Sequence, residues 1–394
     1  MSFHYDYQGH NKGRFEWYVL CCIVFILISG LRYRLGVDST RYDYQFINTP
    51  SLTELWSFNY DETRFAPGYL LFNSIARSLS DSFVMMQILH AIFINILIFR
   101  FFFKNTPHIF VSVLLYFLLL YFNYNFEILR ESCAIVIFLY AWKYFKTNEW
   151  VKYYICCIFA ILFHPSALFL LILPLFYLPI FRVFFKMGLT FWITAGGVFV
   201  LSSIIAVKFF DVIQMANIAS LEDYAISYEN SDLAESKNLN MLGMITFFLR
   251  VLLYPIIAIA LLKGSKYIGV RLNLGNATKE KLEYLLCWFV YISIISLYIK
   301  LFYRFNNYLY PFWILILSDI LFSKIRYIQS IKRFSFGIWM VCLLPYLSLS
   351  LYGYFSDDMG SGIKLIKRYY PYSSVLNPTK DEKREQLFRY LGGN

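Results

Sequence analysis

The chain has 394 residues, 59% of them hydrophobic and 21% aromatic, with a formal net charge of +11. That apolar share excludes a soluble domain of ordinary make-up and points to a polytopic membrane protein, so the positive charge reads as a topology signal and no nucleic-acid partner is expected. Apolar runs near the ~20 residues needed to cross a bilayer recur along the chain, and each is read as a helix because lipid offers the backbone no other hydrogen-bond partner. In chain order they cover 16–31, 83–103, 108–122, 127–145, 151–163, 166–181, 189–207, 242–262, 283–301, 305–322 and 334–353. The expectation is an all-α polytopic integral membrane protein with about eleven transmembrane helices, forming one membrane domain over 1–394. Within the first outer loop, 32–82, the stretch 66–79 carries Asn73 and Arg77 and is a poorer spanning helix than a re-entrant or interfacial one.

The first run leads straight into Arg32 and Arg34 without a small-residue cleavage site and reads as a retained span. The seven cysteines all fall in apolar runs and read as small core residues, so neither a metal site nor a disulfide framework is expected. With the amino terminus inside and 66–79 not crossing, the inner loops hold Lys12 and Arg14; Arg100 and Lys104; Lys143, Lys146 and Lys152; Arg182 and Lys186; Lys263, Lys266, Arg271, Lys279 and Lys281; and Lys324, Arg326, Lys332 and Arg333. Every inner loop is then basic, as the positive-inside rule asks.

The same topology collects a different chemistry at the outer helix ends: "RYRLGVDSTRYDYQF" at 32–46, "DETRFAPGY" at 61–69, "NYNFEILRES" at 123–132, "FHPS" at 163–166, "IKLFYRFNNYLYP" at 299–311, the loop 208–241, and a tail from 354 with "IKRYYPYSSVLNP". Arg34, Arg64, Arg130 and Arg304 stand on the side that should be poor in basic residues, where each needs an anionic partner. The plain alternatives are an intrahelical pairing of Arg130 with Glu127 and Glu131 at i−3 and i+1, a snorkelling Arg304, and a charged surface loop around Arg32, Arg34, Arg41, Asp38 and Asp43. An ionisable group at membrane depth costs roughly 3 kcal/mol or more and usually faces a polar cavity. Guanidiniums gathered at one face can clamp a phosphate or pyrophosphate bidentately. His164 is either a helix-terminal ring satisfied by nearby backbone or a site histidine. Most of the 34 tyrosines and 41 phenylalanines are lipid-facing or belt residues. The outer tyrosines, among them Tyr42, Tyr69, Tyr370 and Tyr372, also suit a sugar cleft, with an apolar face for C–H bonds and a hydroxyl for hydrogen bonds.

The ordered set "RLGVDSTRYDYQF", "RFAPGYLLFNSIA", "LRESCAIVIFLYAWKYF", "ILFHPSALFLLILPL", "YRFNNYLYPF" and "YPYSSVL" touches the chain from 34 to 376 and resembles the EpsG-like group of Wzy-type polymerases of bacterial surface polysaccharides. Arg64 departs from the pattern, since an acidic residue is expected before the Gly-Tyr pair; Asp61 and Glu62 lie close by. The resemblance implies a multi-pass glycosyltransferase of the bacterial cytoplasmic membrane. It would join undecaprenyl-pyrophosphate-linked repeat units into O-antigen, capsule or exopolysaccharide at the outer face, without a cofactor, with a chain-length regulator as a further partner. It would place Arg34, Arg130 and Arg304 on the leaving pyrophosphate, Asp38 and His164 as alternative general bases, and Glu127, Tyr42, Tyr69, Tyr370 and Tyr372 around the substrate. A lipid-linked oligosaccharide flippase or a glycan-modifying membrane acyltransferase are the rival readings. A flippase would want its cations along a central path rather than at one face, and an acyltransferase a second His or Asp reachable from the inner side.

Overall fold

Apolar periodicity becomes helix almost everywhere the structure, a computed structural model, describes the chain: residues 1–58, 65–186, 188–206, 276–323, 351–352, 354–355 and 362–391. Arg64 with its acidic neighbours, the loop 208–241, the expected helix 242–262 and nearly all of 334–353 lie outside the described residues. The chain divides into two units, one of Met1–Leu171 with Ser350–Asn394 and the other of Ile172–Leu349.

The first unit is built on α1 (Arg14–Gly30), α2 (Ser39–Ile47), α3 (Pro67–Leu79), α4 (Phe83–Asn105), α5 (Ile109–Tyr116), α6 (Leu129–Thr147) and α7 (Trp150–Phe163). Helix α1 packs on α4, α4 on α6, α6 on α7, and α3 against both α4 and α7. Helix α5 runs on through wider π-type turns, Phe117–Tyr121 and Asn123–Glu127, before the chain breaks at Ile128. These wide turns carry Asn125, whose amide meets the Asn95 amide at 2.9 Å and the Tyr116 hydroxyl at 2.8 Å. Asn95 and Asn125 are fully buried, and their mutual bonds satisfy groups that would otherwise cost about 1–3 kcal/mol each inside an apolar bundle.

The helices of this unit have two chemically distinct ends. At one, Arg14 bonds the Pro107 carbonyl, Asp6 accepts from the Val111 N–H at 2.9 Å, and Lys146 and the Trp142 indole both reach Asn105 Oδ1. At the other, helices α2 and α3, the start of α4, the start of α6 and the end of α7 meet in an apolar cluster that includes Tyr42, Phe46, Phe65, Tyr69, Leu70, Met86 and Leu129, with Phe163 packed against it. Gly68 of α3 lies so close to α7 that an added Cβ would come within 2.9 Å of the Leu162 carbonyl oxygen. The carboxy-terminal tail joins this second end. Tyr33 N–H donates to Ser373 O, Val375 N–H to Leu31 O and Gly36 N–H to Arg368 O, and the tail closes with α13 (Glu382–Tyr390), whose N-cap Asp381 accepts from Arg384 N–H.

The second unit contains α8 (Leu173–Phe176), α9 (Pro179–Arg182), α10 (Leu189–Ala206), α11 (Asn276–Tyr298) and α12 (Tyr303–Ser323). Tyr284 donates to the Leu173 carbonyl at 2.6 Å, Tyr291 meets Thr194 at 2.7 Å, and Asn306 reaches Ser293 at 2.9 Å. Helix α11 begins seven residues before its apolar run, because Lys279, Glu280 and Lys281 are good helix formers and Glu280 pairs with Arg182 and Lys186.

The largest departure from the expected spans is at 166–181. In place of one helix the chain makes a 3-10 stretch, Pro165–Leu171, followed by α8 and α9. Pro165, Pro174 and Pro179 each lack an amide donor and clash with the preceding turn, so three prolines within fifteen residues break the ladder that the apolar composition alone suggests. Among the described residues, Phe83–Asn105 and Thr278–Tyr298 meet the length and hydropathy of a membrane span. A bent pair, Pro165–Phe176 with Pro179–Phe185, adds a third if it counts as one span, and Ile109–Tyr121, Trp150–Phe163 and Leu189–Ile205 are shorter apolar helices. The protein is all-α, and its apolar helices are those of a membrane protein.

Candidate active site

The end of the first unit that carries the tail also holds Arg34, Asp38, Tyr42, Tyr69, Glu127, Arg130, His164, Tyr370 and Tyr372, while Arg64 lies outside the described residues. Arg304 stands in the first turn of α12, half-buried, in the second unit.

Arg34 has a φ of 49°, the left-handed region that non-glycine residues rarely occupy and that costs on the order of 1 kcal/mol or more. Backbone bonds from Tyr33 and Gly36 to the tail hold it there. Its Nε and Nη2 donate to the two oxygens of Glu385 at 2.9 and 2.8 Å, a bidentate pair with α13. The hydrogen bond from Arg34 holds the Glu385 carboxyl below its usual range, and the same bond raises the guanidinium. The fork expected to meet pyrophosphate is therefore occupied by a carboxylate of this chain.

Asp38 is the N-cap residue of α2, its carbonyl accepting from Tyr42 N–H at 2.9 Å, and its charge is felt by Glu127. Glu127 acts as a tie. One oxygen accepts from Val37 N–H at 3.0 Å, the other from the Tyr369 hydroxyl at 2.7 Å, and Arg368 lies 4.0 Å away. Arg130 lies over the Phe65 ring, 5.3 Å from its centroid, in the first turn of α6. Tyr42 and Tyr69 are buried and pack edge-on at 6.2 Å, and the Tyr69 hydroxyl has no hydrogen-bond partner among the described residues although both Arg130 and Arg32 act on it electrostatically.

His164 ends α7 in extended backbone, 4% exposed. Its Nδ1 accepts from Ser166 N–H at 3.2 Å and lies 2.6 Å from Ser166 Oγ. A ring that accepts at Nδ1 carries its proton on Nε2 when neutral, which makes it a donor in this state. In the tail, Tyr370 and Tyr372 are 66% and 45% exposed, and Tyr372 donates to Ile28 O at 3.1 Å. The tyrosine that makes the buried tail contact is Tyr369, stacked on Phe122 at 4.8 Å.

Two further residues belong to this end. Arg32 is 1% exposed, bonds the Ser29 carbonyl through Nη1, and lies 5.1 Å from the centroid of Phe126; its Nε and Nη2 have no hydrogen-bond partner. His90, buried in α4, stands 3.1 Å from Leu129 O and 3.0 Å from Ser132 Oγ through Nε2. The Leu129 carbonyl can only accept, so the proton is on Nε2 and the unpartnered Nδ1 presents a lone pair, within electrostatic reach of Arg32. Arg32 closes an apolar run and His90 interrupts one. An ionisable group inside a span is the signal that could have marked both from the sequence.

A cleft of about 270 Å³ opens at this end, with Arg32, Arg34, Ser39, Thr40, Asp43, Asp81 and Gln87 among its walls. Burial pushes the Asp43 carboxyl up, against the pull of Arg34. Guanidiniums, carboxylates, hydroxyls and an amide, with the Tyr33 ring beside them, are equipped to hold oxyanions and sugar hydroxyls. The family model for the EpsG family matches residues 16–374. The chain belongs to the EpsG family. No curated protein and no solved structure matches it. EpsG membership associates the protein with polysaccharide biosynthesis, and the matched range takes in every candidate residue from Arg34 to Tyr372, whereas α13 and Glu385 lie beyond it.

Proposed function

We propose that this EpsG protein is a polysaccharide polymerase of the bacterial cytoplasmic membrane, acting at its outer face on repeat units carried by undecaprenyl pyrophosphate. A hydroxyl of the acceptor unit attacks the anomeric carbon of the donor glycan, the bond from that carbon to the pyrophosphate oxygen breaks, and undecaprenyl pyrophosphate leaves with the bonding electrons. Guanidiniums stabilise the charge that grows on the leaving group, and a nearby base takes the hydroxyl proton. Arg130, in the first turn of α6, fills the first role. Asp38 is the preferred base, because the His164 ring already accepts at Nδ1 and serves better as a donor to acceptor or phosphate.

The observation that carries this reading is the chemistry gathered at the tail-bearing end of the first unit: Arg34 held on Glu385, Glu127 tied to Tyr369, and buried Tyr42 and Tyr69 close to Arg130. A flippase would want its cations along a path between the ends. The deciding experiment is a gel of the surface polysaccharide from a deletion strain. A single repeat unit in place of long chains is expected; total loss of repeat units would point to a flippase or ligase instead. Orientation has its own test at Leu376, 81% exposed in the tail, whereas Ser373 is buried and a poor probe position. Leu376→Cys should react with an impermeant maleimide on intact spheroplasts, and labelling only after lysis would put the tail-bearing end inside.

A further inference from the structure

Arg32 is a charged group buried to 1% exposure, and three of its five N–H donors, on Nε and Nη2, meet no acceptor among the described residues. Nη1 is spent on Ser29 O and the face of the guanidinium on Phe126, while Nε and Nη2, the edge that makes a two-pronged fork, have no partner. Two residues along, Arg34 uses that same edge to hold both oxygens of Glu385. The open fork is thus built for one oxyanion. Arg32 lines the cleft together with Ser39 and Thr40, whose buried hydroxyls are also without partners. These two occupy the first turn of α2, where the helix dipole favours an anion as well.

The rest of the wall limits the charge of that anion. Asp43 and Asp81 both line the cleft, and the Arg34 fork is already committed to Glu385. Asp81 is paired with Arg77 at 3.4 Å, but Asp43 remains, so a pyrophosphate bearing two or more negative charges would face that carboxylate with one open guanidinium to answer it. A single carboxylate flanked by hydroxyls fits throughout: the carboxylate meets Arg32, and the hydroxyls donate to Asp43 and exchange hydrogen bonds with Ser39, Thr40 and Gln87. The cleft volume is at the small end for ligand sites, room for one sugar ring and little more.

We propose that this cleft is a subsite for an acidic sugar, with Arg32 holding its carboxylate and the walls from α2 and α4 reading its hydroxyls. Resting on the polymerase reading, this makes the repeat unit one that contains a uronic acid or a similarly carboxylated sugar.

The test is direct binding to the full-length protein in detergent micelles, read by saturation-transfer NMR with methyl glucuronide, methyl glucoside and methylenediphosphonate as probes. Methyl glucuronide should bind at least tenfold more tightly than the neutral glucoside, and Arg32→Lys, which keeps the charge and loses the fork, should weaken it by tenfold or more. The double variant Ser39→Ala, Thr40→Val should weaken it three- to tenfold at unchanged melting temperature, and this arm decides the matter if Arg32→Lys fails to fold. Equal binding of charged and neutral sugars, or variants that bind like wild type, would overturn the proposal. So would methylenediphosphonate binding that depends on Arg32 while the glucuronide does not bind, since the cleft would then belong to the lipid pyrophosphate. Glucuronide binding in a protein whose deletion leaves chain length intact would keep the subsite and sink the polymerase reading.

Discussion

The two ends of the first unit hold their cations in different ways. At the end where Arg14 bonds the Pro107 carbonyl, Lys152 and Lys143 have local, exposed partners: Lys152 pairs with Glu149 three residues away, and Lys143 lies 4.0 Å from the Tyr140 ring centroid on its own helix. At the tail-bearing end three arginines are held across the fold: Arg32 against Phe126, Arg130 against Phe65, and Arg34 against a carboxylate 351 positions away. Lysine's hydrated point charge suits an inner-face topology signal. Arginine's planar fork can be buried and still recognise an oxyanion, which suits a site. Where a cation sits matters less than which cation it is and how much water it has given up.

The sharpest way to break this contrast is to remove an arginine fork. Arg130→Ala should reduce long-chain polysaccharide at least a hundredfold with protein levels near wild type, and Arg130→Lys should restore little of it. Full-length polymer from the alanine variant, on the same gel that tests the deletion, would mean that Arg130 does not meet the leaving group.

Next in size is the backbone that carries Arg34. Gly36 has a φ of +92°, and an added Cβ would collide with the Phe126 carbonyl oxygen. Gly36→Ala should cost about 3 kcal/mol or more, from combined strain and overpacking, and lower the melting temperature of the purified protein. A substitution tolerated without loss would show that the loop after α1 is not fixed against the turns that follow α5.

A smaller effect is expected from acid. Because Arg34 depresses the Glu385 carboxyl, that pair stabilises the docked tail fully above the ordinary glutamate value of about 4.3 and loses its contribution as pH falls through the depressed one. Amide exchange across α13 should accelerate below about pH 4, and Arg34→Gln should already show faster exchange at neutral pH with less dependence on acid. Exchange in that variant equal to wild type at pH 7 would mean that the pair does not hold the tail. At the lysine end, Lys152→Ala should leave both the melting temperature and chain length unchanged, because its pairing with Glu149 is local and exposed. A measurable loss there would erase the contrast between the two ends.

Much was legible in the sequence because lipid restricts the choices. Apolar runs had to be helices, and 16–31, 83–103 and 151–163 reappear as α1, α4 and α7 within two residues. Arg34, Asp38, Glu127 and the tail, which the expected topology assigns to one face, are joined in the structure through Glu385 and through Glu127, which accepts from Val37 N–H and Tyr369. Proline chemistry, visible at 165, 174 and 179, outweighs apolar composition and broke the expected helix 166–181.

Tertiary structure alone decided which side chains at that end are spent and which are open. Arg32 and Arg34 are two residues apart with the same side chain, yet one fork is closed by Glu385 and the other has no partner. Likewise Tyr369 is buried on Glu127 while Tyr370 beside it faces out. Composition and periodicity assign residues to a face and a membrane depth. Pairing depends on contacts between segments hundreds of residues apart, and on the direction the backbone gives each side chain, which no local pattern encodes.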